Sequence, residues 1–186
     1  MGILLGIAPF IVFALLAGLS VDLALWAAFA AAFVLSIRDF AHTRLLRQID
    51  VGSMILFGLL ALYTGFIQPS LSAQAVHLIA DGGLLIIAFS SLVSGNPFTL
   101  DYAREQVPHE MWAAPAFLRA NYVITTVWTL AFAAMTLTDA LATFNKRFPL
   151  TLEVATSLGA LTLAVVFTAR FPAHAPLETA RDRRRR

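Results

Sequence analysis

Six stretches of the chain, at about residues 2–19, 21–37, 51–67, 75–94, 119–140 and 149–169, are apolar almost throughout. Each is close to the roughly 17–25 residues that a helix needs to cross a bilayer. In hydrocarbon every backbone amide and carbonyl must find its partner inside the segment, so runs of this kind fold as helices. Composition points the same way: 59% of the residues are hydrophobic and 13% are charged, about half the charged share of a soluble domain. Such a chain has too few polar groups to face water. The expected fold class is all-α, a polytopic membrane bundle of six transmembrane helices plus a short interfacial helix. It forms one domain over residues 1–172, with a basic tail at 173–186. No Lys or Arg precedes Arg38, so the opening run lacks the positive start of a cleaved signal peptide and is expected to remain as the first helix. Pro9 is expected to kink that helix, and Ser20, Val21 and Asp22 to turn the chain tightly into the second.

The basic residues orient the bundle. Alternating crossings put the N-terminus, the 38–50 loop, the 95–119 loop and the tail on one side. That side holds eleven of the 13 Lys and Arg residues: Arg38, Arg44, Arg47, Arg104, Arg119, Arg170, Arg181, Arg183, Arg184, Arg185 and Arg186. The other side holds Lys146 and Arg147. Because loops rich in Lys and Arg stay cytoplasmic, the arrangement expected is N-in/C-in. Dropping any one crossing scatters the basic loops over both faces.

The longest connection runs from Gly95 to Arg119. Asn96 suits an N-cap with Pro97 at the first helical position, and Pro108 sets an end, which predicts a helix of about three turns. Asp101 and Arg104 are spaced to pair on it. Phe98, Leu100, Tyr102, Val107, Met111, Trp112 and Phe117 are expected against the headgroup boundary, while Asp101, Arg104 and Glu105 stay wet. The plain reading is an interfacial connector. The functional reading is a candidate loop in which Asn96, Pro97, Asp101, Tyr102, Arg104 and Glu105 are held by protein contacts. The run Asn96-Pro97-Phe98-Thr99-Leu100-Asp101-Tyr102-Ala103-Arg104-Glu105-Gln106-Val107-Pro108, followed by Pro115, Phe117, Asn121, Thr125 and Trp128, resembles a signature in a family of uncharacterised bacterial inner-membrane proteins. Some members of that family bear a septation protein A-like label. The resemblance implies a bacterial plasma (inner) membrane, with the chain crossing it several times, and implies no activity.

A second constellation is acidic and falls on the predicted outer side: Asp22, Asp81, Asp139 and Glu153. Asp81 lies about 9 Å into the fourth helix by the rise per residue. A charge at that depth costs several kcal/mol unless it is paired, neutral or facing a cavity. His77 is one helical turn earlier, so His77 and Asp81 are expected to form an intramembrane polar pair. Structurally such a pair pins the helix to a neighbour such as one carrying Lys146 or Arg147; functionally it handles protons or cations. Gly82-Gly83 beside it reads as a close helix crossing or a hinge. Asn121, Thr125, Thr129, Ala133 and Thr136 share a stripe of the fifth helix, where hydroxyl and small side chains usually serve helix packing. The spacings Gly2-x-x-x-Gly6 and Ala14-x-x-x-Gly18 suggest close packing without naming a partner.

The chain has no Cys, which removes disulfides, thiolate metal sites and Cys nucleophiles. It also lacks a His-Glu-x-x-His, a phosphate-binding Gly-rich loop and a Gly-x-Ser-x-Gly elbow. No catalytic residue, cofactor or metal is therefore expected, and the chain is not expected to be an enzyme. The Arg-rich tail, next to a membrane span, suits anionic lipid headgroups better than nucleic acid. Two function classes follow. The one the sequence favours, because its most specific residues lie in a predicted cytoplasmic loop, is a non-catalytic membrane scaffold whose 95–119 segment and tail meet cytoplasmic partners, a membrane-protein partner or a second copy. The other is a small transporter or channel-like protein using the outer acids and His77.

Overall fold

A computed structural model of the protein describes residues 5–43, 47–145 and 147–171. The basic tail, Arg44 and Lys146 lie outside the described residues. Every described element is helical: α1 (Ala8–Ala17), α2 (Val21–Thr43), α3 (Gln48–Leu62), α4 (Ala73–Val93), α5 (Thr99–Arg104), α6 (Pro115–Phe144) and α7 (Leu150–Arg170). The last turn of α3 widens into a π turn over Tyr63–Ile67, closed by Gln68 N donating to the Tyr63 carbonyl at 2.8 Å.

Five helices are long and apolar enough to cross a membrane: Val21–Ala41, Gln48–Ile67, Ala73–Val93, Pro115–Phe144 and Leu150–Arg170. The first apolar stretch gives the ten-residue α1 among the described residues, short of that length. Pro9 follows a break in the helical run: Leu5 and Gly6 are helical, Ile7 is a turn and α1 restarts at Ala8. The proline occupies the first turn, where its missing N–H leaves no bond unmade, and the Ile7 carbonyl accepts from Phe10 N at 3.0 Å and Ile11 N at 3.1 Å. α6 runs 30 residues, about 45 Å at the helical rise, so its ends extend past a hydrocarbon core about 30 Å thick.

Successive long helices pack as neighbours, α2 on α3, α3 on α4, α4 on α6 and α6 on α7, while α1 lies along α2. Phe10 and Phe13 carry α1 into the core against Phe57 of α3, with ring centroids 4.8 and 5.7 Å apart. The Gly82-Gly83 step serves close packing on two sides. A Cβ at Gly83 would stand 2.6 Å from the Leu56 side chain of α3, and one at Gly82 would stand 3.7 Å from Thr136 of α6. The α6 stripe packs too: Asn121, Thr125 and Thr129 are buried, and the Thr129 and Thr136 hydroxyls donate to carbonyls of their own helix at 2.8 and 2.9 Å. Trp128 Nε1 donates to Thr168 Oγ1 at 2.9 Å and ties α7 to α6. Otherwise α7 is peripheral, with Ala164 its one buried residue. Large apolar side chains such as Leu19, Phe66, Ile86, Leu130, Leu137, Leu158 and Leu163 cover the outside, a surface made for lipid rather than water.

Candidate functional site

The end of the bundle that carries α5 is built around one guanidinium. α4 stops in a Schellman turn: Gly95, at φ +76°, donates to the Leu92 carbonyl at 3.2 Å and Asn96 N donates to the Ser91 carbonyl at 3.1 Å. The left-handed backbone at that position suits glycine. Asn96 therefore closes α4 and does not cap α5, as the spacing had suggested. Pro97 is buried, its carbonyl accepts from Leu100 N at 2.8 Å, and α5 starts at Thr99. The helix holds six residues, not the three turns expected, because the chain next turns toward α6 through a 3₁₀ turn at His109–Met111.

α5 packs into the bundle rather than lying along headgroups. Phe98, Leu100, Tyr102 and Phe117 are fully buried, which corrects the expectation that they sit at the interface. Phe98 N donates to Ser91 Oγ at 3.1 Å, and the Thr99 hydroxyl reaches the Asn121 carbonyl at 3.1 Å and Thr125 Oγ1 at 2.8 Å. The apolar residues face in because α4, α5 and α6 converge there and satisfy the backbone groups that a headgroup layer would otherwise hydrate.

The polar face of α5 docks on the start of α3. Arg47, which precedes α3, donates to Asp39 of α2 and to Glu105, and its guanidinium lies 4.5 Å from the Tyr102 ring centre. Asp101 accepts from the Gln48 backbone N–H and so supplies the carboxylate that an exposed helix N-terminus favours. Arg104 turns the other way, 3.8 Å from Asp101 and 5.5 Å from the Trp112 ring centre. Of the candidate loop residues, Asp101, Tyr102 and Glu105 thus meet at α3, Arg104 braces the outer side, and Asn96 and Pro97 shape the entry. Burial pulls the Arg47 guanidinium toward the neutral form, but Glu105, Tyr102 and Asp39 more than offset this and hold it above its ordinary value. Burial pushes the Asp101 carboxyl and the Tyr102 hydroxyl up. Asp50, in the first turn of α3, is 3.9 Å from Arg47.

A docked α5 is protected. In nanodiscs, amides of residues 100–104 are expected to exchange slowly, and Glu105→Gln to speed them about 5- to 10-fold, the loss of one half-exposed charge-assisted hydrogen bond. Fast exchange in the unmodified protein contradicts the docking.

At the opposite end, the expected His77–Asp81 pair does not form. The His77 ring lies on Phe13 of α1, with centroids 4.9 Å apart, while the Asp81 carboxyl lies within hydrogen-bonding reach of Asp139 on α6, with Glu153 of α7 nearby. Residues four apart differ by about 40° around a helix axis, enough to turn one toward α1 and the other toward α6. No ion pair among the described residues involves Asp81 or Asp139, and Arg147 is exposed. Asp139 is 3% exposed, and its Oδ2 is buried with no hydrogen-bond partner. Asp22 is exposed. A groove of about 500 Å³ between α3 and α4, lined by Leu56, Leu59, Leu60, Leu62, Tyr63, Ile67 and Ile79, is almost wholly apolar.

Arg47, Asp39 and Asp50 are the residues that sequence reasoning did not single out. Arg47 stood among several arginines of one loop, and nothing local separates a buried one from a hydrated one. No family model, curated protein or solved structure matches the chain.

Proposed function

We propose that the protein is a six-span, N-in/C-in protein of a bacterial plasma membrane that handles protons through the Asp81–Asp139 pair. The carrying observation is that two carboxyls from different apolar helices, Asp139 buried and Asp81 partly buried, meet without a cationic partner among the described residues. Two carboxyls within hydrogen-bonding reach are joined only through a proton on one of them, and intramembrane acids generally mark ion or proton pathways. A proton is favoured over a metal cation because no group of three or more His, Asp or Glu among the described residues is placed to hold a metal ion. No catalytic step is assigned.

A pH jump across proteoliposomes tests this. The unmodified protein is expected to pass protons above the rate of empty liposomes, and Asp139→Asn or Asp81→Asn to reduce that flux at least tenfold while melting at a similar temperature. Flux at the empty-liposome rate in the unmodified protein, or unchanged flux in both variants, sinks the reading.

Six crossings require α1 to traverse the bundle. Its direction supports that: Gly6 lies against Tyr102 and Ile49 at the α5 end, and Phe13, about 10 Å further along, meets Phe57 and His77, on the way to the other end. With the excess of basic residues on the α5 side, reporters fused after residue 45, after residue 105 or at the C-terminus are expected to read cytoplasmic, and one between residues 69 and 74 external. An external signal at 105 removes the six-span arrangement.

A non-catalytic scaffold is the second reading. Exposed Gln106, Pro108, His109 and Glu110 and the peripheral, apolar α7 support it as surfaces for a membrane-protein partner or a second copy, with the Arg-rich tail on anionic headgroups. The proton reading is preferred because the most distinctive residues of the 95–119 segment face inward.

A further inference from the structure

At the α5 end, Asp50 is the carboxyl left over. Arg47 donates to Asp39 and Glu105, and Arg38 closes on Asp39 at 2.7 Å. Asp50 receives only the 3.9 Å approach of Arg47, too long for a hydrogen bond. It is 2% exposed, and its Oδ2 is buried without a donor. Tyr102 supplies an independent sign that this cluster is built for more than an ion pair: its ring covers Arg47, the residue is 1% exposed, and its hydroxyl has no hydrogen-bond partner. Buried polar groups are normally satisfied, so two orphans in one cluster call for a function. The Asp50 and Asp39 carboxyls also lie within hydrogen-bonding reach of each other. Among the described residues, the titratable and charged groups around Asp50 are Arg38 and Asp39 from α2, Arg47 ahead of α3, and Asp101, Tyr102 and Glu105 from α5. Gly6, just ahead of α1, lies against Tyr102 and Ile49, and the described part of α1 itself, Ala8–Ala17, carries no titratable side chain.

We propose that Asp50, together with Asp39, forms a second proton-exchange site at the cytoplasmic end, and that the Arg47–Glu105 link controls it. This rests on the proton-handling reading above. While Glu105 holds Arg47, Asp50 lacks a full counter-charge and keeps the shared proton. When Glu105, whose side chain is 41% exposed, lets go, Arg47 turns to Asp50 and the proton leaves. Only an O–H bond forms and breaks; the proton comes from cytoplasmic water and returns to it, and nothing is oxidised or reduced.

Infrared difference spectroscopy on the full chain in nanodiscs, in an Asp81→Asn/Asp139→Asn background that removes the outer pair, tests the site. A carboxylic-acid carbonyl band is expected to titrate, to vanish when Asp50→Asn is added, and to survive Asp22→Asn at an exposed acid. Glu105→Gln leaves Asp50 in place and frees Arg47 for it, so it is expected to move the titration to lower pH by about 1 unit or more; it decides the matter if Asp50→Asn does not fold. A band that persists through Asp50→Asn, or that Glu105→Gln leaves unmoved, overturns the proposal. Proteoliposome flux reports on the outer pair and this band on Asp50, so the two readings fail separately.

Discussion

Arg47→Ala is expected to destabilise the protein by about 3–5 kcal/mol, the cost of removing one partner from a buried charge cluster, seen as a melting temperature lower by roughly 6–20 °C. The substitution takes one cation from Asp39, 5% exposed, which keeps Arg38, leaves Asp50, 2% exposed, without the approach of Arg47, and removes the cation beneath the Tyr102 ring. It also frees Glu105, whose share is small because half-exposed pairs are screened by water. Arg47→Lys restores charge but not the planar fork that meets Asp39 and Glu105 at once, so it is expected to recover less than half of the loss. Neutralising the acids supplies the sharper control. Asp39→Asn/Asp50→Asn in the Arg47→Ala background is expected to be more stable than Arg47→Ala alone, since it is the unpaired charges that are costly. Tryptophan fluorescence in detergent follows the transition through Trp26, Trp112 and Trp128. A shift of only one or two degrees in Arg47→Ala means that the cluster is hydrated and does not hold α5.

The helices were legible because hydrocarbon leaves the backbone no alternative. Their ends were less so. α6 begins at Pro115 and continues to Phe144, beyond the apolar core of its stretch, since a polar residue such as the exposed Arg119 sits comfortably in a helix whose ends leave the bilayer. The 96–108 segment announced itself through Asn-Pro, Pro-His and aromatic residues that a solvated connector does not need, and Asp101, Tyr102 and Glu105 do engage the bundle. Their partner was hidden: Arg47 follows a span, as topology-setting arginines do, and only the tertiary fold distinguishes it. Asp81 was recognisable by depth, but its partner was assigned from the nearest helical neighbour. Spacing along one helix identifies who shares a face; it does not say which other helix covers each level of that face, and Asp139 lies on α6.

Gly6→Ala carries the second large effect, and its sign is diagnostic. In an open helical position, replacing glycine by alanine stabilises by roughly 0.5–1 kcal/mol. At Gly6 a Cβ would stand 1.8 Å from Tyr102 Oη and 2.9 Å from Ile49 Cγ2. Tyr102 cannot yield cheaply, because its ring is pinned over Arg47, so overpacking of about 1–3 kcal/mol is expected instead, and more for Gly6→Leu. Gly159→Ala, where a Cβ meets nothing within 4 Å, serves as the open control and is expected to raise the melting temperature. Tyr102→Phe removes a buried hydroxyl that has no partner, so alone it is expected to be neutral or stabilising. Combined with Gly6→Ala it relieves the closest clash, although Cζ, at 2.8 Å, still presses, so the rescue is partial. The double-mutant cycle should show a coupling of about 1 kcal/mol or more. Strict additivity, or a stabilising Gly6→Ala, places α1 away from Tyr102 and withdraws the support that its course gives to a sixth crossing.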